Sequence, residues 1–263
     1  HNLTLPPLLH VAERVRPQLG DPKSNLGVVA KDLAEDQVIA AAVLRMANSP
    51  LYRGLNKITA LQPAVSRLGV RALSTLLMHE SLRAAMFFRK GRANELARIV
   101  WRGSLASACI MHGLCEFTRL DSEDAFLVGL LHDIGNVVVL RITYAEKGFP
   151  QYEIDLDTFE YLCLECHQEF GELLADAWSL PPDLKAIISN HHDSPDPEDP
   201  LRTLRLQVQL TDMINAMLGY ATPAQYDLLG SRPVRDLGLA DRNDFVTYLE
   251  RLPDEVDETV ASL

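Results

Sequence analysis

Apolar residues recur with a helical period along almost the whole of this chain, and no stretch alternates apolar with polar as a half-buried strand does. That period admits an all-α fold and little else. The breaks between periodic segments fall on Gly, Pro, Asn and Asp. Pro6 and Pro7 open a first helix through Leu9, Val11, Ala12 and Val15, and "GDPKS" ends it. Ser24 or Asn25 caps a second helix that buries Leu26, Val29 and Leu33, and Asp36 caps a third that stops at Asn48, Ser49 and Pro50. Thr59 caps "ALQPAVSRLG", which ends at Gly69, and a long helix follows through Leu73, Leu76, Leu77 and Met86.

"FFRKGRANE" reads as a hinge. Beyond it the spacing predicts helices over about 93–118, 121–142, 157–178, 182–192 and 200–219, with "HHDSPDPEDP" as a solvated loop. Two short helices close the chain from about 220, and "LPDEVDETV" is a solvated helix face. The expected object is an all-α, two-lobed helical bundle. Its N-terminal lobe covers 1–90, a second lobe covers 91–220, and a C-terminal helical extension covers 221–263.

Hydrophobic residues make up 47% of the chain and aromatics only 6%, which suits a packed helical protein and excludes a disordered one. A net charge of −11 with scattered basic residues argues against nucleic acid, whose backbone is held by clustered Lys and Arg. No membrane partner is expected, because no apolar stretch approaches the ~18–20 uncharged residues a spanning helix needs. The start, "HNLTLPPLLHVAERVRPQL", has no basic segment followed by an apolar one, so it is not a secretory signal, and a cytoplasmic location is expected. It also lacks an initiator Met, and the chain is read as a fragment or a trimmed form, with a missing N-terminal domain as one possibility. Cys109, Cys115, Cys163 and Cys166 lie in apolar helical context and read as reduced, packed thiols.

The chemistry concentrates around "FLVGLLHDIGNVVVL", where His132 and Asp133 interrupt a run built for burial. A buried carboxylate must find a partner or lose its charge. Four further positions belong with this pair: His167 in "CHQEFGELL", His191 and His192 in "ISNHHD", and Asp212 in an apolar stripe four residues after Val208. Imidazoles and carboxylates recurring at buried or helix-end positions are what a divalent metal uses. They are equally what a polar network needs to tie helices together, and His132, Asp133 and Asp212 suit that role.

In its order of motifs the chain resembles the HDOD family, a group of bacterial signalling modules within the HD-domain superfamily and related to the HD-GYP phosphodiesterases. "LPPLL", "MANSPLYRG", "ITALQPAVSRLG", "VWRGSLASA", "AFLVGLLHDIGN", "FGELLADAWSLPPDLKAIISNHH" and "QLTDMINA" carry the resemblance, over about residues 3 to 220. It implies an HD-domain-like second lobe and a metal site at His132, Asp133, His167, His191, His192 and Asp212. Catalytic relatives carry a further metal-binding His in a "WxHS"-like stretch, but this chain reads Trp101-Arg102-Gly103-Ser104. His112 cannot substitute: nine residues on is a rotation of ~900° and a rise of ~13 Å, so it points from the opposite helix face. The "GYP" segment of the cyclic dinucleotide phosphodiesterases is absent as well. By resemblance one metal set is broken at Gly103, while Asp133, His167, His191 and His192 keep the other nominally complete.

Cys163-Leu164-Glu165-Cys166-His167 spells the haem attachment signature of c-type cytochromes. No haem is expected, since attachment occurs outside the cytoplasm and the segment fits an ordinary helix. A zinc site joining this pair to Cys109 and Cys115 fails on spacing. The resemblance therefore implies a non-catalytic signal-transduction module working through protein partners. Such a module could be the output part of a response regulator, fused to an N-terminal receiver or other signalling domain. No cofactor is the first expectation, and a single divalent transition metal the other. The competing function is a metal-dependent phosphohydrolase acting on a nucleotide or cyclic dinucleotide, and a third is a small-ligand sensor using the same pocket without turnover.

Overall fold

A computed structural model describes residues 5–6, 9–19, 25–49, 51–52, 54–86, 92–144, 154–222 and 224–262. Among them are twelve α-helices and no strand, as the helical period requires. Pro7, Ser24, Pro50 and positions 87–91 of the expected hinge lie outside the described residues. The chain divides into two compact units, residues 7–84 with 257–263, and residues 1–6 with 85–256.

The first unit begins with α1 (His10–Leu19), α2 (Leu26–Ala34) and α3 (Gln37–Ala47). Asn25 accepts from the amide of Gly27, and Asp36 from those of Val38 and Ile39, so each capping side chain satisfies amides that the first helical turn leaves open. α4 (Leu61–Met86) is two helical stretches joined across a kink at Gly69, whose φ of +70° ends the first stretch where the sequence placed its stop. Val15, Leu33, Val43, Val65 and Leu73 are fully buried and form one core. Each contributes about 1.5–3 kcal/mol through burial. Asn48 clasps the loop after α3: its side chain donates to the carbonyls of Leu44 and Ile58 and accepts from the Ile58 amide at 2.8 Å. One buried carboxylate, Glu80, is 2% exposed and is held by Arg83 at 2.5 Å.

The second unit is framed by the long α5 (Arg92–Thr118). The sequence suggests one helix over 121–142; the structure has two, α6 (Ser122–Leu131) and α7 (Gly135–Tyr144), with a turn at 132–134. By length and composition Ser122–Tyr144 is apolar enough to cross a membrane, at a mean hydropathy of 1.7, although Asp133 and Arg141 interrupt it. It is two helices, and 72% of its apolar window is buried inside the protein. α8 (Leu156–Ala177), α9 (Pro182–Asn190) and α10 (Arg202–Met217) follow close to their expected bounds. The chain closes with α11 (Arg232–Asp236) and α12 (Asn243–Ser262), the second far longer than the short helix expected.

α10 is pinned to α5 by Gln207, whose Nε2 donates to the Met111 carbonyl at 2.7 Å while its Oε1 accepts from Thr118 at 2.6 Å. Phe245 and Tyr248 of α12 pack edge-on against Phe117 of α5, with centroids 5.5 and 5.3 Å away. The half-buried His112 ring stands nearly perpendicular to that of Phe126, with centroids 6.4 Å apart.

Candidate metal centre

The turn at 132–134 brings His132 and Asp133 to one place. Neighbours on an unbroken helix point about 100° apart, yet His132 Nε2 and Asp133 Oδ2 lie 3.6 Å from each other. Just after the break α7 packs closely on α8. A Cβ on Gly135 would strike the carbonyl oxygen of His167 and come 2.7 Å from the Gly171 nitrogen. Gly171 is equally confined, because its own Cβ would sit 2.6 Å from Ile188 Cγ2. Glycine at 135 lets the α7 and α8 backbones touch, and glycine at 171 makes room for Ile188 of α9.

The other histidines arrive from helix ends. His191 is the C-cap of α9, and His192 follows it. Gln209 of α10 donates to the carbonyls of His191 and Asp193 at 2.8 and 2.7 Å, and Arg205 binds the Asn190 side chain and carbonyl. Those bonds satisfy carbonyls that the end of α9 leaves open.

Three imidazoles are oriented alike. Nδ1 of His132 bonds the Gly129 carbonyl at 2.9 Å, that of His167 the Cys163 carbonyl at 2.8 Å, and that of His191 the Ile187 carbonyl at 3.2 Å. A carbonyl only accepts, so each Nδ1 carries the hydrogen and a neutral ring presents its lone pair at Nε2. The Nε2 atoms then converge: His167 to His191 at 3.3 Å and His192 to His167 at 3.1 Å. Asp133 Oδ1 completes the group, 3.5 Å from His167 and 3.4 Å from His191. Two lone pairs facing each other repel unless a cation lies between them. Adjacent ligands of a tetrahedral first-row ion, at metal–nitrogen distances of about 2.0–2.1 Å, stand about 3.3 Å apart. Two sets of three donors lie close enough together to hold one divalent ion, His167, His191 and His192 in one and His132, Asp133 and His191 in the other.

His132 belongs to the other half of the site. Its Nε2 meets Asp212 Oδ1 at 3.1 Å. Since Nδ1 already holds a hydrogen, that contact makes a metal-free His132 a cation. Burial alone would lower its pKa, but the Asp133 and Asp212 carboxylates outweigh burial and hold it at about 9. Burial would likewise raise Asp133, yet the surrounding histidines, His132 first, keep its carboxyl well below the usual range. Burial lowers His192 and, with Asp133 next, pushes the Cys163 thiol up, so Cys163 stays protonated beside the cluster.

At Gly103 a side chain could enter only by displacing backbone. A Cβ on Gly103 would lie 2.8 Å from the backbone oxygen of Tyr220. The turn after α10 carries that oxygen there: Gly219 takes a φ of +78° and the Tyr220 amide bonds back to the Asn215 carbonyl at 3.0 Å. Asn215 also donates to the Gly103 carbonyl and to Ser107, and the Arg102 guanidinium lies over the Tyr220 ring at 5.3 Å. Beside the histidines opens a cavity of about 240 Å³ whose wall includes Asp133, His167, His192 and Asp212.

All six residues singled out in the sequence thus meet in one place. Sequence reasoning missed Asn136, Glu160, Asn215 and Tyr220, which also line the cavity. Asn136 directly follows "HDIG", and Asn215 lies three residues after Asp212 on one helix face, so both were within reach. Cys163 and Cys166 are free, mid-way along α8, with no disulfide.

An all-helical body with paired His and Asp side chains at helix ends defines an HD-type protein. The HDOD domain model matches residues 5–194, and the chain belongs to the HDOD family. The fold is shared with a candidate metal-dependent phosphohydrolase from Shewanella amazonensis SB2B, at a TM-score of 0.81 and 21% identity over 99% of this chain and 92% of that one. It is shared also with an HDOD domain protein of unknown function from Geobacter sulfurreducens, at 0.69 and 23% over 97% and 93%. An uncharacterised protein of Treponema pallidum (strain Nichols) is 25% identical over 216 residues, or 77% of this chain, which spans 40% of that relative's length.

Proposed function

We propose that this chain is a regulatory HDOD module that acts through protein partners in the cytoplasm, holds one divalent ion, and does not turn over a phosphoester. The observation that carries this reading is the Tyr220 oxygen lodged 2.8 Å from the Cβ position of Gly103. Hydrolysis across two metals requires both ions, one to activate water and both to clamp the phosphoryl group. Here the first ligand is missing and its path is filled by backbone, which a side-chain change cannot clear. His132, Asp133 and Asp212 are left as a bonded polar network, while His167, His191 and His192 would hold an ion. Such an ion would supply Lewis acidity and positive charge at the cavity floor.

A single ion with an adjoining cavity suits a module whose packing answers to occupancy. A receiver or other signalling domain fused to its N-terminal side would deliver the input. The test is turnover of bis(p-nitrophenyl) phosphate with Mn, Mg, Fe and Ni supplied in turn. No turnover with any of them is the expected result. Turnover that Asp133→Ala abolishes would establish the phosphohydrolase reading in its place.

A further inference from the structure

The two units carry charge of opposite sign. Residues 7–84 with 257–263 hold ten Lys and Arg against eight Asp and Glu, a net +2. Residues 1–6 with 85–256 hold fifteen against twenty-eight, a net −13. Part of that excess lies along α8, where Asp157, Glu160, Glu165 and Glu169 run without a Lys or Arg between them. Lys185 offsets only the far end of the helix, at Glu172 and Asp176. Beside the acidic run, three exposed apolar side chains, Ile99 of α5, Leu164 of α8 and Tyr226, meet around one cavity. Exposed apolar side chains scattered singly are ordinary, but three around one opening make an apolar mouth. At about 240 Å³ the cavity is smaller than the about 300–1,000 Å³ of a small-molecule site, and its size suits a single side chain.

The basic unit presents such a side chain. Leu55 stands wholly in solvent, and Lys57, two residues on, is exposed as well. The loop that carries them is held from both sides. Asn48 clasps Ile58, and the Arg67 guanidinium donates to the carbonyls of Ala47 and Asn56 at 3.1 and 3.0 Å. Gly54 passes so near that a Cβ there would come 3.3 Å from Arg67 Nη2. A segment already fixed in place loses little freedom when it docks.

We propose that Leu55 of one copy seats in the apolar mouth of a second copy, with Lys57 facing the acidic run of α8, so that copies associate head to tail. The contact needs neither a metal nor the absence of turnover, and so goes beyond the proposed function. Apolar burial supplies the anchor, and the opposite charges of the two surfaces steer it. Each copy uses two different patches, so the interface is heterologous and association continues past two copies unless a ring closes.

The test is sedimentation of the purified chain over a wide range of concentration, at low and at high salt. Average mass is expected to rise with concentration, and the association to weaken at least threefold at high salt, which screens exposed charges. Leu55→Asp and Leu164→Asp, both at exposed positions where folding is not at stake, are each expected to remain monomeric. Mixed together, the two variants are expected to form a dimer and nothing larger, because the first keeps the mouth and the second keeps Leu55. Lys57→Glu is expected to weaken association at least fivefold. A parent that stays monomeric throughout would overturn the proposal. So would variants that associate as the parent does, or a mixture of the two leucine variants that stays monomeric.

Discussion

Nε2 of His167 and Nε2 of His191 face each other at 3.3 Å, each ring with its Nδ1 hydrogen committed to a helix carbonyl. Neither nitrogen can donate to the other while both rings are neutral. The pair is set up to share a cation. That relationship depends on α7 and α8 touching through glycine backbone, and on Gln209 holding the end of α9 in place.

Gly135→Ala tests the first dependence. The new methyl would strike the backbone of His167 and Gly171, and backbone yields less readily than a side chain. Overpacking of this kind costs about 1–3 kcal/mol, and the upper end is expected here, with retained metal falling in parallel. Urea unfolding beside metal analysis reads both. A variant as stable as the parent would show that the two helices do not need this contact.

Gly103→His is expected to destabilise the chain by about 1–3 kcal/mol and to leave phosphodiester turnover absent with every divalent ion. The Tyr220 carbonyl must move before any Cβ enters. Gain of turnover in a stably folded variant would mean that the turn after α10 gives way easily.

The metal-free protein should lose stability as the pH rises. His132 is held at about 9 in the folded state, above its ordinary 6.5. A raised value stabilises fully below 6.5, and the contribution disappears as pH climbs through 9. At 1.36 kcal/mol per pKa unit the loss is on the order of 3 kcal/mol. Asp133 has the opposite sense: its carboxyl is depressed, so its contribution is present above the ordinary carboxylate range and lost only in acid. Urea midpoints of chelator-treated protein from pH 6 to 10 should fall, and His132→Asn should flatten the slope. A flat parent profile would mean that His132 is not held charged by Asp133 and Asp212.

Much of the fold was legible because helical period, caps and stops are local signals: Asn25, Asp36 and Gly69 sit where their chemistry demanded. The break at 132–134 was not. "FLVGLLHDIGNVVVL" is apolar on both sides of the turn, and the Gly135 contact beside it is with a helix more than thirty residues away. The metal candidates were legible as residue types and through their family pattern. The plug at Gly103 was invisible, since the group that fills the space is a backbone oxygen, and every residue has one.

The most direct measurement is the metal content of protein purified without chelators, by elemental analysis, beside a His167→Ala/His191→Ala double variant. The account requires close to one equivalent of a transition metal per chain, lost in the double variant. Two equivalents, none, or one equivalent that survives loss of both histidines would contradict it.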